Sequence, residues 1–111
     1  MSEQRQDSPD PTVLHLLQPD EQLYLKTRAI DAVLAVTDRR LLVADDQRVL
    51  LDISYDRLRR VQFDIERSRP ATLVIVPESP SDEPQLLAIP PEEYERAARA
   101  LAVIGERLSE S

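Results

Sequence analysis

The chain has 111 residues, no cysteine, one histidine, one glycine and a net charge of −7. That length corresponds to one domain with room for a core that needs no staples, and the missing cysteine removes disulfide frameworks and thiolate chemistry. No apolar run approaches the roughly 20 residues that span a bilayer, and residues 1–10 lack the apolar centre of a signal peptide, so the chain reads as soluble and cytoplasmic.

Charge is segregated along the sequence. Residues 1–25 carry a net −4, residues 26–70 a net +2 and residues 71–111 a net −5. The overall excess of acid keeps the protein soluble and disfavours nonspecific attachment to nucleic acid or membrane. All bases but Lys26 are arginine.

Residues 1–10 are poor in hydrophobics and rich in Ser, Gln and Asp, the composition of a disordered acidic tail. A single domain is expected over residues 11–111. Asp10 and Pro11 suit the N-cap and first position of a short helix. Val13, Leu14, Leu16 and Leu17 form its apolar side, and Pro19 ends it.

Strand patterns follow. Leu23, Leu25 and Thr27 alternate with Tyr24, Lys26 and Arg28, which predicts a half-buried strand. Residues 30–36 are more continuously apolar and are expected to be more deeply buried. Thr37-Asp38-Arg39-Arg40 then forms a tight turn without glycine. Thr37 or Asp38 accepts backbone N–H groups there, and Arg40 pairs across the hairpin. Residues 41–44 continue as strand, and Asp45-Asp46-Gln47 forms a second turn through local Asp hydrogen bonds. Val49, Leu51 and Ile53 alternate again. Ser54-Tyr55-Asp56 breaks the pattern, with Tyr55 packed at the rim. Val61, Phe63 and Ile65 resume the alternation. Residues 67–70 read as a turn, 73–76 as a strand, 77–84 as a long acidic loop and 86–89 as a last strand.

The C-terminal segment differs in kind. Pro90-Pro91-Glu92-Glu93 is a helix start, with acids where the helix dipole favours them. Tyr94, Ala97, Ala98, Leu101, Ile104, Gly105 and Leu108 then form an apolar stripe at helical spacing. Gly105 costs roughly 1 kcal/mol relative to Ala in a helix interior, so a close approach of the helix to a strand is expected there. Seven short strands and one amphipathic helix, with no strand–helix alternation, predict an all-β antiparallel architecture.

Three motifs carry a resemblance to the bacterial pleckstrin-homology-like (PH-like) superfamily. Leu17-Gln18-Pro19-Asp20-Glu21 looks like its L-x-P-x-E lead into the first strand. Val36-Thr37-Asp38-Arg39-Arg40-Leu41-Leu42 is similar to its T-D/N-x-R-L hairpin. Residues 53–61, Ile-Ser-Tyr-Asp-Arg-Leu-Arg-Arg-Val, are similar to its I-P-Y-x-x-I-x-x-V approach to the fifth strand. The likeness runs from about residue 14 to residue 108. It implies a barrel of about seven antiparallel strands in two near-orthogonal sheets, capped by the C-terminal helix. It also implies a bacterial source and a scaffold whose loops and edges serve lipids, peptides or self-assembly, so function has to be argued from sites.

The residues argue against catalysis. His15 lies on a short amphipathic helix and reads as a packing residue. One His and no Cys leave no His- or Cys-based zinc site, and Asp45-Asp46 reads as a solvated turn. One glycine provides no phosphate-cradling loop. No catalytic, metal or cofactor residue is expected. Nucleic acid is disfavoured for want of aromatic stacking platforms.

The arginines are the most distinctive surface feature. Arg57, Arg59, Arg60, Arg67 and Arg69 fall within thirteen residues, interleaved with Asp56, Asp64 and Glu66. They either pair internally, including with acids of the 78–83 loop, or form a docking patch for an acidic partner. Lys26 and Arg28 are the residues a membrane would use. At roughly 1 kcal/mol each they fall short of the about 8 kcal/mol that micromolar binding needs. The sequence reading is therefore a non-catalytic interaction domain that binds a protein partner or itself. The alternative is a domain that recognises membrane or anionic lipid.

Overall fold

The computed structural model describes residues 16–66 and 69–110. The first sheet has the order β1–β2–β3–β4: β1 (Leu23–Arg28), β2 (Val33–Thr37), β3 (Arg40–Ala44) and β4 (Val49–Ser54). A 3-10 turn, Tyr55–Arg57, leads into the second sheet of β5 (Leu58–Glu66), β6 (Arg69–Pro77) and β7 (Gln85–Ile89), in that order. A second 3-10 turn, Pro91–Glu93, opens helix α1 (Tyr94–Glu110). All neighbouring strands pair antiparallel. The expected helix at residues 10–19 and His15 lie outside the described residues, apart from the end of that helix. The expected acidic tail also lies outside them.

The main core forms between the sheets. Leu34, Val36, Leu41, Val43, Leu51 and Ile53 of the first sheet meet Leu73, Ile75, Leu87 and Ile89 of the second. Fully burying each such side chain contributes roughly 2 kcal/mol. The first sheet buries its other face too: Val33, Ala35, Leu42 and Ala44 lie under Leu16, Leu17 and Leu23. A strand covered on both sides needs a continuous apolar run, and Val33–Thr37 is buried at every position.

Helix α1 packs chiefly against β1 and β5. Ala97, Ala100 and Ile104 are buried, and the Tyr94 ring meets Phe63 edge-on at 5.8 Å. Glu92 and Glu93 in the preceding 3-10 turn, Glu95 in the first turn of α1 and Arg107 in its last suit the helix dipole. Two expectations for this helix are corrected. Ala98 and Gly105 are exposed, and a Cβ at Gly105 would meet nothing within 4 Å, so no strand approaches it. The two positions are seven residues apart and share one line of the helix surface. The buried face is centred on Ala97, Ala100 and Ile104, which leaves that line on the solvent flank.

Other boundaries shift. Ile30 lies not in β2 but in the turn before it, where Ala29 N–H donates to the Ala32 carbonyl at 2.8 Å, and it is 57% exposed. Ile65 is exposed at the far end of β5. Arg69 and Pro70 belong to β6 rather than to a turn. The acidic loop occupies residues 78–84, as its prolines require.

Candidate functional site

The Thr37-Asp38-Arg39-Arg40 turn is held by side chains in place of glycine. Thr37 Oγ1 accepts the N–H groups of Arg39 and Arg40, each at 3.1 Å, and donates to Glu21 Oε2 at 2.6 Å. Asp38 accepts the Gln22 N–H at 2.9 Å. Arg40 reaches Glu21 through two parallel bonds, Nε to Oε2 at 2.9 Å and Nη2 to Oε1 at 2.8 Å. It also donates to Asp52 on β4 at 2.9 Å and to the Leu16 carbonyl at 2.7 Å. The Glu21 side chain is fully buried. Its pKa is held down to about 2, mainly by the Arg40 hydrogen bonds, which outweigh the opposing effect of burial. The same contacts push the Arg40 guanidinium up. The Tyr55 hydroxyl donates to the Thr37 carbonyl at 2.5 Å, and burial raises its pKa to about 12. This buried ionic cluster ties the segment before β1 to the β2–β3 turn. Its role is structural.

The predicted arginines divide between two places. Arg57 stands in the 3-10 turn and its carbonyl accepts the Glu78 N–H at 2.8 Å. Leu58 pairs with Pro77 and Arg60 with Val76, so Arg59 is the extra residue of a bulge. A bulge re-aims side chains, and Arg59 and Arg60 are both exposed in succession. Arg59 lines a pocket of about 280 Å³ with Glu78 and Asp82 of the acidic loop. Even so, among the described residues Arg57, Arg59 and Arg60 form no ion pair. Arg69 is the backbone register partner of Glu66 at the other end of the β5–β6 hairpin. That is roughly 24 Å from Arg59 at about 3.4 Å per residue. Arg67 lies outside the described residues.

Lys26 and Arg28 stand on β1 beside the start of α1. They line a pocket of about 310 Å³ together with Glu93 and Arg96. Glu93 Oε1 accepts the Arg28 N–H at 3.1 Å. Further along the helix, Arg107 stacks over the Tyr24 ring at 4.9 Å and donates to its hydroxyl, so α1 runs along β1. Sequence reading missed Arg96 and Glu93 as neighbours of Arg28. They are more than sixty residues away in the chain, and no local pattern signals the meeting. Among the described residues no group of three or more His, Cys, Asp or Glu is arranged to hold a metal ion. No helix there is long and apolar enough to cross a membrane.

Two sheets of four and three antiparallel strands, closed at one corner by a C-terminal helix, define a PH-like fold. The chain matches the crystal structure of a pleckstrin homology domain from Shewanella amazonensis SB2B with a TM-score of 0.62 and 17% sequence identity, over 87% of this chain and 92% of that one. No protein-family model matches the chain, and no curated protein matches it. The fold expected from the three motifs is therefore the fold observed.

Proposed function

We propose that the protein is a non-catalytic interaction domain that binds a protein partner through acidic groups seated on Arg57, Arg59 and Arg60. One observation carries this reading. Three exposed arginines lie within four residues of the chain at the entry to the second sheet, without an ion pair among the described residues, on a chain whose net charge is −7. Guanidinium forks match carboxylates in a planar, bidentate way. Exposed pairs add little stability, typically about 0–1 kcal/mol, but they accelerate encounter and select the partner's charge.

The test is a low-salt affinity purification from the source organism, run in parallel with wild type and with the Arg59→Glu/Arg60→Glu double variant, each checked for native circular dichroism. A stoichiometric partner retained by wild type and lost by the variant is the expected result. A partner retained equally by both overturns it. So does a self-associated chain whose assembly ignores the substitutions.

The Lys26–Arg28–Arg96 pocket favours a second reading, recognition of anionic lipid. Three bases at roughly 1 kcal/mol each give about 3 kcal/mol, still short of the about 8 kcal/mol of a micromolar site, and the net charge opposes it. Co-sedimentation with phosphatidylserine vesicles but not phosphatidylcholine vesicles, lost on changing Lys26 and Arg28 to Glu, would favour this reading over the first.

A further inference from the structure

The two sheets treat their outer faces differently. That of the first sheet is buried under Leu16, Leu17 and Leu23. Among the described residues, none covers that of the second. Its cross-strand rows are Arg60–Val76, Gln62–Val74–Leu86 and Asp64–Thr72–Ala88. Leu86 is 69% exposed, and Ile30, whose N–H donates to the Ala88 carbonyl at 2.8 Å, is 57% exposed. Val74, Val76 and Ala88 are half-buried. The β6–β7 half of this face is thus apolar except for Thr72. The β5 half is polar, with Arg60 at one end and Asp64 at the other.

Resting on the interaction reading above, we propose that the partner is an amphipathic α-helix. It lies on this face with apolar side chains over Val74, Val76 and Leu86 and carboxylates over Arg59 and Arg60. Three features of the face select this occupant. Strand addition at β7 has little to pair with. The Ile30 N–H already takes the Ala88 carbonyl, and Pro84 precedes the strand, so Leu86 is left as the main residue offering both backbone groups outward. The face is three strands wide, two spacings of about 4.8 Å, which matches a helix about 10 Å across. The charges discriminate along the face. Arg60 and the bulged Arg59 attract carboxylates at one end, where Glu78 and Asp82 flank Arg59 and favour carboxylates seated on the Arg60 side, and Asp64 repels them at the other, so the acidic residues cluster at one end of the helix.

A displayed library of amphipathic helical peptides, selected on the intact chain, tests this. The selected peptides should share an apolar stripe and carboxylates gathered at one end. Their affinity should fall at least tenfold on Leu86→Asp and at least tenfold on Arg59→Glu/Arg60→Glu, and should not change on Arg48→Glu. Leu86 is exposed, so its replacement leaves the fold intact, which circular dichroism checks. Loss with the arginine variant alone overturns the helix-on-sheet proposal and leaves the interaction reading standing. Indifference to both overturns both. Failure to select any binder, or a self-associated chain that Leu86→Asp dissociates, overturns the helix as occupant.

Discussion

Glu21→Gln isolates the buried ion pair. The carboxylate titrates near pH 4.5 when free and near 2 in the folded chain. Holding the carboxylate that far below its free value is worth about 3 kcal/mol of stability. Because the folded pKa is lowered, this stability is fully present above pH 4.5 and is lost as the pH falls toward 2. The substitution keeps the shape and removes the charge, leaving Arg40 with Asp52 and the Leu16 carbonyl. Urea unfolding at pH 7 should show the variant less stable by about 3 kcal/mol. For a domain of about 100 residues that lowers Tm by more than about 10 °C. At pH 2–2.5 most of the difference between the two proteins should disappear, because the unfolded carboxyl is then protonated and the folded one, with a pKa of about 2, is losing its charge. The comparison cancels the other carboxylates, which titrate alike in both. Equal stability at pH 7, or a gap that persists undiminished at pH 2, refutes the argument.

Gly105→Ala adds a methyl group to open space on an exposed helix line and should raise stability by roughly 0.5–1 kcal/mol. A loss in thermal unfolding would mean that the glycine serves a contact. Among the described residues Thr27 Oγ1 is buried without a hydrogen-bond partner. Thr27→Val should therefore stabilise the fold by about 1 kcal/mol or more, and a destabilised variant in the same urea assay would show that the hydroxyl is satisfied.

Much of the fold was legible because it is written in local patterns. The alternation at Leu23, Leu25 and Thr27 sets β1, the apolar run before Thr37 sets β2, and the Thr37–Arg40 turn fixes their register with β3. Periodicity shows which residues share a face but not what covers that face. The outward residues of β2 and β3 lie beneath Leu16 and Leu17, while among the described residues nothing covers those of β6 and β7. Nothing in the strands themselves separates the two cases. The same limit hid the phase of α1, because small residues at 97, 98, 100 and 105 fit several rotations. It also hid the Arg59 bulge, which only the pairing with β6 reveals. Glu21 was visible as part of a motif. Its burial was not, since a charge is buried only when a partner such as Arg40 is brought to it by the fold.

The asymmetry between the sheets links the structural and functional halves of the molecule. The Glu21–Arg40 cluster holds the segment that covers the outer face of the first sheet, and α1 covers the β1–β5 corner. These two devices close most of the apolar surface that seven strands generate. The acidic loop could have closed the rest by folding over β6 and β7. Instead it stays at one end, where Glu78 and Asp82 line a pocket with Arg59 and Val76 and, among the described residues, form no ion pair with Arg59. Among the described residues, the uncovered face and the arginines without an ion pair therefore lie on the same sheet. A partner that satisfied only the charges would leave Leu86 in water, and one that covered only the apolar half would gain nothing from the bulge. Both features are used together by a ligand that is apolar along one side and acidic at one end.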